Sequence, residues 1–365
     1  MDIVVFCPNL IGDTVMATPA LRSLRAGFPD ARIHAVAKPF VTPVLDGLDS
    51  VDHVIPHDRK SEKIEFQTGA VVQELKSIHA DIAVLFPNSF RSALLAWKGR
   101  AVRRVGFARG GRGLFLTDRL TPPNRIRHGY APMPVVEYYM KIVQYLNCPD
   151  MGRELEQMTT AADENAADNV FSKWNLNQAR PLIVFNTGGA FGPAKNWPVS
   201  HFAQLAKMLL KEISTAQIVV ICGPSEVSNA RAITELAGDP RVVSLADEPQ
   251  SVGLSKAIIR RSELVVTTDS GPRHFATAFQ RPTVSLFGPT HMEWTRTMHP
   301  LAIHLQKSVE CGPCQKGICP EKHHQCMVEL LPEQVLDSCL SLLGRNRIGA
   351  GPRRSMRETF RVFNG

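Results

Sequence analysis

The run Thr267-Thr268-Asp269-Ser270-Gly271-Pro272-Arg273-His274 gathers a carboxylate, a hydroxyl and an imidazole where an apolar, β-branched stretch gives way to a turn. Leu264-Val265-Val266 reads as a buried strand, Asp-Ser-Gly-Pro as a turn able to cap a helix, and Phe275-Ala276-Thr277-Ala278 as the helix itself. A helix starting there aims unpaired N–H groups and the positive end of its dipole at the carboxyl edge of a sheet, where an anion is held. The chemistry is that of a phosphate seat, with Asp269 as an acceptor and His274 as a titratable donor beside it.

Three more turns carry candidates. Asn186-Thr187-Gly188-Gly189-Ala190-Phe191-Gly192-Pro193-Ala194-Lys195-Asn196-Trp197-Pro198 follows another apolar run. Its glycines let backbone amides approach an anion, and Lys195 adds a positive charge. It lacks the spacing of a Walker sequence; a glycine-rich surface turn is the plainer reading, against which Phe191 and Trp197 argue. In Cys222-Gly223-Pro224-Ser225-Glu226, Glu226 either accepts from ribose hydroxyls or simply favours the dipole of the following helix. Near the beginning, Cys7-Pro8-Asn9-Leu10-Ile11-Gly12-Asp13-Thr14 has one glycine where a dinucleotide site has three, which disfavours a nicotinamide dehydrogenase. It leaves Asp13 as a helix N-cap, the reading its position favours, or as a general base.

The cysteines Cys311, Cys314, Cys319 and Cys326, with His323 and His324 among them, allow a structural zinc held by thiolates. They do not form two CxxC knuckles, and reduced thiols or a disulfide made on oxidation stand equally.

The elements that must position these groups alternate between two periodicities. Strands are expected at Ile3–Phe6, Arg32–Val36, Asp52–Ile55 and Asp81–Phe86, with helices at Pro19–Gly27, Glu62–Ile78 and Ser89–Trp97. Further strands are expected at Leu182–Phe185, Ile218–Ile221, Val242–Leu245, Leu264–Val266 and Thr283–Phe287, with helices at His201–Glu212, Val227–Ala237 and Val252–Arg261. Such alternation predicts parallel, doubly wound α/β sheets with ligands at the carboxyl ends of their strands. A chain of 365 residues exceeds one core, so the expectation is two Rossmann-like domains facing a central cleft. They span 1–157 and 158–344, the second opening on a linker or first helix at Met158–Ala167, and a Gly- and Arg-rich tail at 345–365 is expected to be disordered.

Apolar content of 44% and charged content of 21% belong to an ordinary globular protein. The chain opens without a basic signal region and has no apolar stretch near the ~20 residues that span a bilayer, so a cytoplasmic location is expected. The net charge of +8 is concentrated at Lys98, Arg100, Arg103, Arg104, Arg109, Arg112, Arg119, Arg125 and Arg127, against the single acid Asp118. Gly110, Gly111 and Gly113 predict a loop there. A solvated basic face and a polyanion site (nucleic acid, anionic membrane or phosphorylated glycolipid) are both open readings.

Taken together the motifs resemble the ADP-heptose:lipopolysaccharide heptosyltransferases, inverting glycosyltransferases of family nine with the GT-B fold. The resemblance runs from Gly12-Asp13 to about Leu343 and is carried by Pro87-Asn88-Ser89-Phe90-Arg91-Ser92-Ala93-Leu94, Phe191 to Pro198, Asp269-Ser270-Gly271 with His274, and Phe287-Gly288-Pro289. The first two segments look most like the branch that adds the second core heptose. The resemblance implies that Asp13 is the general base and that Lys195 steadies the diphosphate leaving group. It further implies that Thr187, Glu226, Asp269, Ser270, Gly271 and His274 hold the ADP-heptose donor. The acceptor, a Kdo- and phosphate-bearing lipid A core at the inner-membrane surface, is expected to meet Asn88, Arg91, Arg103 and Arg104. No catalytic metal or other cofactor is implied, and zinc at the four cysteines would be structural.

Two competitors remain at this point. One is a family-nine enzyme with another donor or acceptor. The other is a basic, zinc-bearing nucleic-acid-binding protein, which explains the charge and the cysteines but not Asp13, Lys195 and Asp269 at equivalent sheet edges.

Overall fold

The structure is a computed structural model that describes residues 1–126, 129–189, 191–348 and 359–363. The chain divides into two compact units, Met1–Met158 with Glu293–Arg296, and Thr159–Met292 with Thr297–Gly365.

In the first unit, β1 (Asp2–Phe6), β2 (Arg32–Ala37), β3 (His53–Pro56), β4 (Ile82–Leu85), β5 (Arg103–Phe107) and β6 (Asp118–Leu120) form a parallel sheet in the order β3-β2-β1-β4-β5-β6. The helices are α1 (Ile11–Met16), α2 (Thr18–Gly27), α3 (Thr68–Ile78), α4 (Phe90–Lys98) and α5 (Val135–Tyr145). A short antiparallel ribbon joins β7 (Arg125–Ile126) to β8 (Gly129–Tyr130). Runs such as Ile3-Val4-Val5-Phe6 and Ile82-Ala83-Val84-Leu85 are buried throughout, as central parallel strands covered on both faces must be. The glycines at 110, 111 and 113 do not make one long loop. They lie in or beside the 3-10 turn Arg112–Phe115 within the connection from β5 to β6, and of the basic stretch only Arg103, Arg104 and Arg119 belong to those strands.

The second unit repeats the plan with β9 (Leu182–Asn186), β10 (Gln217–Ile221), β11 (Val242–Ser244), β12 (Leu264–Thr268), β13 (Thr283–Phe287), β14 (Ala302–Lys307) and β15 (Thr359–Phe363). All pair in parallel, in the order β11-β10-β9-β12-β13-β14-β15. Its helices are α6 (Ala161–Lys173), α7 (Val199–Glu212), α8 (Val227–Ala237), α9 (Val252–Arg261), α10 (Gly271–Ala278), α11 (Gln325–Val328) and α12 (Pro332–Ile348). On α7, Phe202, Leu205, Ala206, Leu209 and Leu210 recur at i, i+3, i+4, i+7 and i+8 and are buried with Trp197 and Phe185. Each such buried leucine contributes about 1.5–3 kcal/mol. Ser251 starts α9 by accepting the Leu254 N–H at 2.9 Å.

Of the two readings of Met158–Ala167, linker or first helix, the structure has the helix: Thr160 and Asp163 form a reciprocal capping box that starts α6. Within the tail expected to be disordered, α12 continues to Ile348 and β15 adds a strand to β14. Residues 349–358, 364 and 365 lie outside the described residues, as do Arg127, His128 and Ala190.

Candidate functional site

In both sheets the strand order reverses beside the first strand, between β1 and β4 and between β9 and β12. Such a switch point leaves a crevice at the carboxyl ends, because the connections on either side depart to opposite faces. The candidate residues follow these strands.

In the second unit, Lys195 comes from the loop after β9 and Asp269 from the end of β12. The Lys195 ammonium donates to Asp269 Oδ2 at 2.7 Å and to the Asp269 carbonyl at 2.8 Å. Thr290, just beyond β13, donates its hydroxyl to the same Oδ2 at 2.8 Å, and Arg273 Nε lies 3.9 Å from Oδ1. All four side chains are buried. Burial acts to raise the Asp269 carboxyl, but the Lys195 ammonium and the Arg273 guanidinium outweigh it and hold the group well below the usual carboxylate range. The result is a fixed arrangement of two cations and one anion, in which the Phe191 ring lies 4.5 Å from the lysine nitrogen.

Around it, Asn186 ties the ends of β9 and β12 together, donating to the Gly188 carbonyl at 3.1 Å, Thr267 Oγ1 at 3.0 Å and Ser270 Oγ at 2.7 Å. Close approach needs the glycines. A Cβ on Gly189 would fall 2.6 Å from Ser270 Cβ, and one on Gly188 would fall 2.7 Å from Glu226 Cγ. Thr187 Oγ1 and His274 Nδ1 are buried here without a hydrogen-bond partner among the described residues. Burial, reinforced by Arg273, pushes the His274 imidazole well below its ordinary range, so it is neutral at pH 7. Glu226 spends its carboxylate locally, accepting the Gly223 N–H at 2.7 Å and the Ser225 hydroxyl at 2.5 Å, which closes its own turn.

In the first unit, Asp13 is not the cap of α1. Leu10 occupies that position, and Asp13 is the third residue of the helix. It lines a cavity of about 360 Å³ with Asn88, Arg109, Tyr138 and Tyr139. Burial, with a further push from the Asp13 carboxylate, keeps the Tyr139 phenol protonated far above its usual range. Arg109 lies over the Tyr130 ring, 3.9 Å from its centre. Asn88 is held from two sides. Tyr138 donates to its Oδ1 at 2.8 Å, and the fully buried Arg112 donates to it at 3.3 Å. Arg112 also donates to the carbonyls of Phe107 and Pro87. Burial lowers the Arg112 guanidinium to about 10, still charged at neutral pH.

Of the expected acceptor contacts, only Asn88 is brought to this cavity. Arg91 is exposed on α4. Arg103 pairs with Asp118 at 2.8 Å, and Arg104 donates to the carbonyls of Ala101, Val102 and Phe115, so β5 uses both to fasten its own edge. Sequence reasoning passed over Arg109, Tyr138, Thr290 and Asn186. Arg109 was visible only as one charge in a run, while Asn186, Tyr138 and Thr290 meet partners distant in the chain.

Cys311, Cys314, Cys319 and Cys326 are free thiols lining one small cavity with His323 and His324, and Cys311 Sγ is 3.8 Å from His323 Nε2. Burial pushes the Cys326 thiol up to about 11. Among the described residues no group of three or more His, Cys, Asp or Glu is placed to hold a metal ion. The loop braces the anion site: Gly317 accepts from the Ala194 N–H at 3.0 Å, and Gln315 donates to the Pro289 carbonyl at 2.8 Å.

Two doubly wound α/β units, each with its polar cluster at a switch point, are the architecture of the GT-B glycosyltransferases. The chain belongs to glycosyltransferase family 9 (heptosyltransferase), whose profile matches residues 68–325. It is 29% identical over 359 residues to lipopolysaccharide heptosyltransferase 2 of Salmonella typhimurium, covering 95% of this chain and 100% of that protein. The corresponding Escherichia coli protein is 29% identical over 94% of this chain and 99% of its own length. Among solved structures, E. coli ADP-heptose LPS heptosyltransferase II superposes with a TM-score of 0.76 at 27% identity, covering 95% of this chain and all of that one.

Proposed function

We propose that the chain transfers L-glycero-D-manno-heptose from ADP-heptose to the inner core of lipopolysaccharide, with inversion and without a catalytic metal, a reading supported by its likeness to proteins named lipopolysaccharide heptosyltransferase 2. The observation that carries this reading is the buried Lys195–Asp269–Arg273 group at the β9–β12 switch point. It supplies fixed positive charge for a diphosphate, beside the unpartnered Thr187 and His274.

In this mechanism the acceptor hydroxyl oxygen attacks the anomeric carbon from the face opposite the diphosphate. The bond from that carbon to the phosphate oxygen breaks, and ADP departs with the electron pair. Asp13 takes the hydroxyl proton. Lys195, with the N–H groups at the start of α10, stabilises the charge growing on ADP, a role worth a few kcal/mol in a site that excludes water. Glu226 keeps lone pairs for ribose hydroxyls while closing its turn. On the acceptor side the reading assigns Asn88 and Arg109 to the Kdo and phosphate groups of the lipid A core, at the cytoplasmic face of the inner membrane. Cys311, Cys314, Cys319 and Cys326 have a bracing part, as thiols or around a structural zinc.

The test is an assay with ADP-heptose and heptose-deficient lipopolysaccharide, reading the linkage formed. Asp13→Asn is expected to keep ADP-dependent thermal stabilisation and to lose transfer by about 10²–10⁴-fold, the usual worth of a general base. Near-normal turnover in that variant would remove Asp13 from the mechanism, and failure of the wild type to transfer heptose would remove the donor assignment.

A further inference from the structure

Helix α4 leaves aromatic side chains exposed. It buries its small and aliphatic side, Ser92, Ala93, Leu95 and Ala96, while Phe90 and Trp97 stand 45% and 51% exposed. Phe90, Leu94 and Trp97 lie at i, i+4 and i+7, one stripe, and the exposed Arg91 and Lys98 run alongside at i+1 and i+8. The 3-10 turn packs against this stripe, with the Phe115 ring 5.1 Å from Phe90 and 5.6 Å from Trp97. Leu114 beside it is 84% exposed, and Val102 67%. Arg100 is exposed between them. No acid occurs between Asp81 and Asp118, and Asp118 is already paired with Arg103, so Arg91, Lys98 and Arg100 have no ion-pair partner among the described residues.

We propose that this face, Phe90, Trp97, Val102 and Leu114 ringed by Arg91, Lys98 and Arg100, is the surface by which the protein sits on an anionic lipid bilayer. Exposed aromatic and aliphatic groups among unpaired cations suit the headgroup region, where rings lie at the water boundary and each Lys or Arg gains from anionic lipid. A solvated face has no use for Trp97 and Leu114 in water. A nucleic acid would use the cations but leave Leu114 and Val102 idle. The patch begins two residues after Asn88, which lines the cavity assigned to the acceptor. On that assignment, which rests on the proposed function, a lipid-borne acceptor is met where it emerges from the membrane.

The full chain, without donor or acceptor, is mixed with phosphatidylethanolamine–phosphatidylglycerol vesicles and, separately, with phosphatidylcholine vesicles, and the bound fraction is read by flotation. Binding to the anionic vesicles, weakened by salt, is expected for the wild type. Lys98→Gln with Arg100→Gln should lower it by about fivefold per charge, and Leu114→Asp or Trp97→Ser should lower it tenfold or more. ADP-dependent thermal stabilisation, and transfer to a delipidated core oligosaccharide, should be unchanged in the charge variant and in Leu114→Asp, so loss of vesicle binding is separable from loss of function. Wild-type protein that stays unbound, variants that float as the wild type does, or tighter retention on an oligonucleotide or on a protein partner lost by the same substitutions would overturn the proposal.

Discussion

At the scale of single residues, His274 links the proposed donor site to pH. Its imidazole is neutral in the folded protein because burial, and then Arg273, disfavour the charged form. In the unfolded chain it titrates near 6.5. The unfolded state therefore binds an extra proton below that pH, and the stability present above it is lost as pH falls, by at most about 1.4 kcal/mol per pH unit. His57 and His201 are lowered in the same direction, so the telling quantity is a difference. Urea unfolding between pH 7.5 and 5.5 should show a shallower loss for His274→Asn than for the wild type, and equal slopes would mean that His274 titrates normally. Asp269, held ionised by Lys195 and Arg273, keeps its charge throughout that range. The types of these residues were legible in the sequence; their pairing was not. Nothing in the spacing of Lys195 and Asp269 says that they touch, since the contact depends on β9 and β12 being neighbours.

Among elements, the loops after β9 and β12 meet with no spare volume. Gly189→Ala would put a methyl group 2.6 Å from Ser270 Cβ, an atom fixed by the start of α10, so one backbone must shift. We expect this variant to fold and to bind ADP at least tenfold more weakly, by isothermal titration; unchanged affinity would show that the loop yields freely. The strands carrying these loops were legible because they are β-branched runs bounded by turn residues, and Thr283–Phe287, Val227–Ala237 and Val252–Arg261 match the structure at both ends. What escaped were elements with mixed patterns. β5 begins Arg103-Arg104, and β14 carries His304 and Gln306 within it. In each the polar residues have specific partners, such as the Gly288 and Thr290 carbonyls that accept from Gln306, and composition does not reveal them. α5 escaped as well, although its Tyr138 and Tyr139 line the cavity around Asp13.

For the whole molecule, the division into units matters. The residues proposed to hold the donor lie within Thr159–Met292, and the sheet that bears them is completed by strands β14 and β15. A fragment spanning 159–365 should therefore fold and be stabilised by ADP, as read by thermal unfolding, while showing no transfer. A fragment that folds but ignores ADP would mean that nucleotide binding draws on the first unit. The two-fold repetition of the α/β plan was plain from the alternation of strand and helix patterns. The Gly and Arg content after Leu343 reads as a tail, and within it Thr359–Phe363 alternates well enough to extend a sheet.

The tight packing of Gly188 on Glu226 and of Gly189 on Ser270 also bears on redesign. The turns after β10 and β12 each pack against the turn after β9, at the positions where Gly188 and Gly189 carry no side chain. Grafting the turn after β9 from a protein that takes a different nucleotide would press foreign side chains against two unchanged neighbours at once. Redesign of that turn therefore has to carry the residues at 226 and 270 with it.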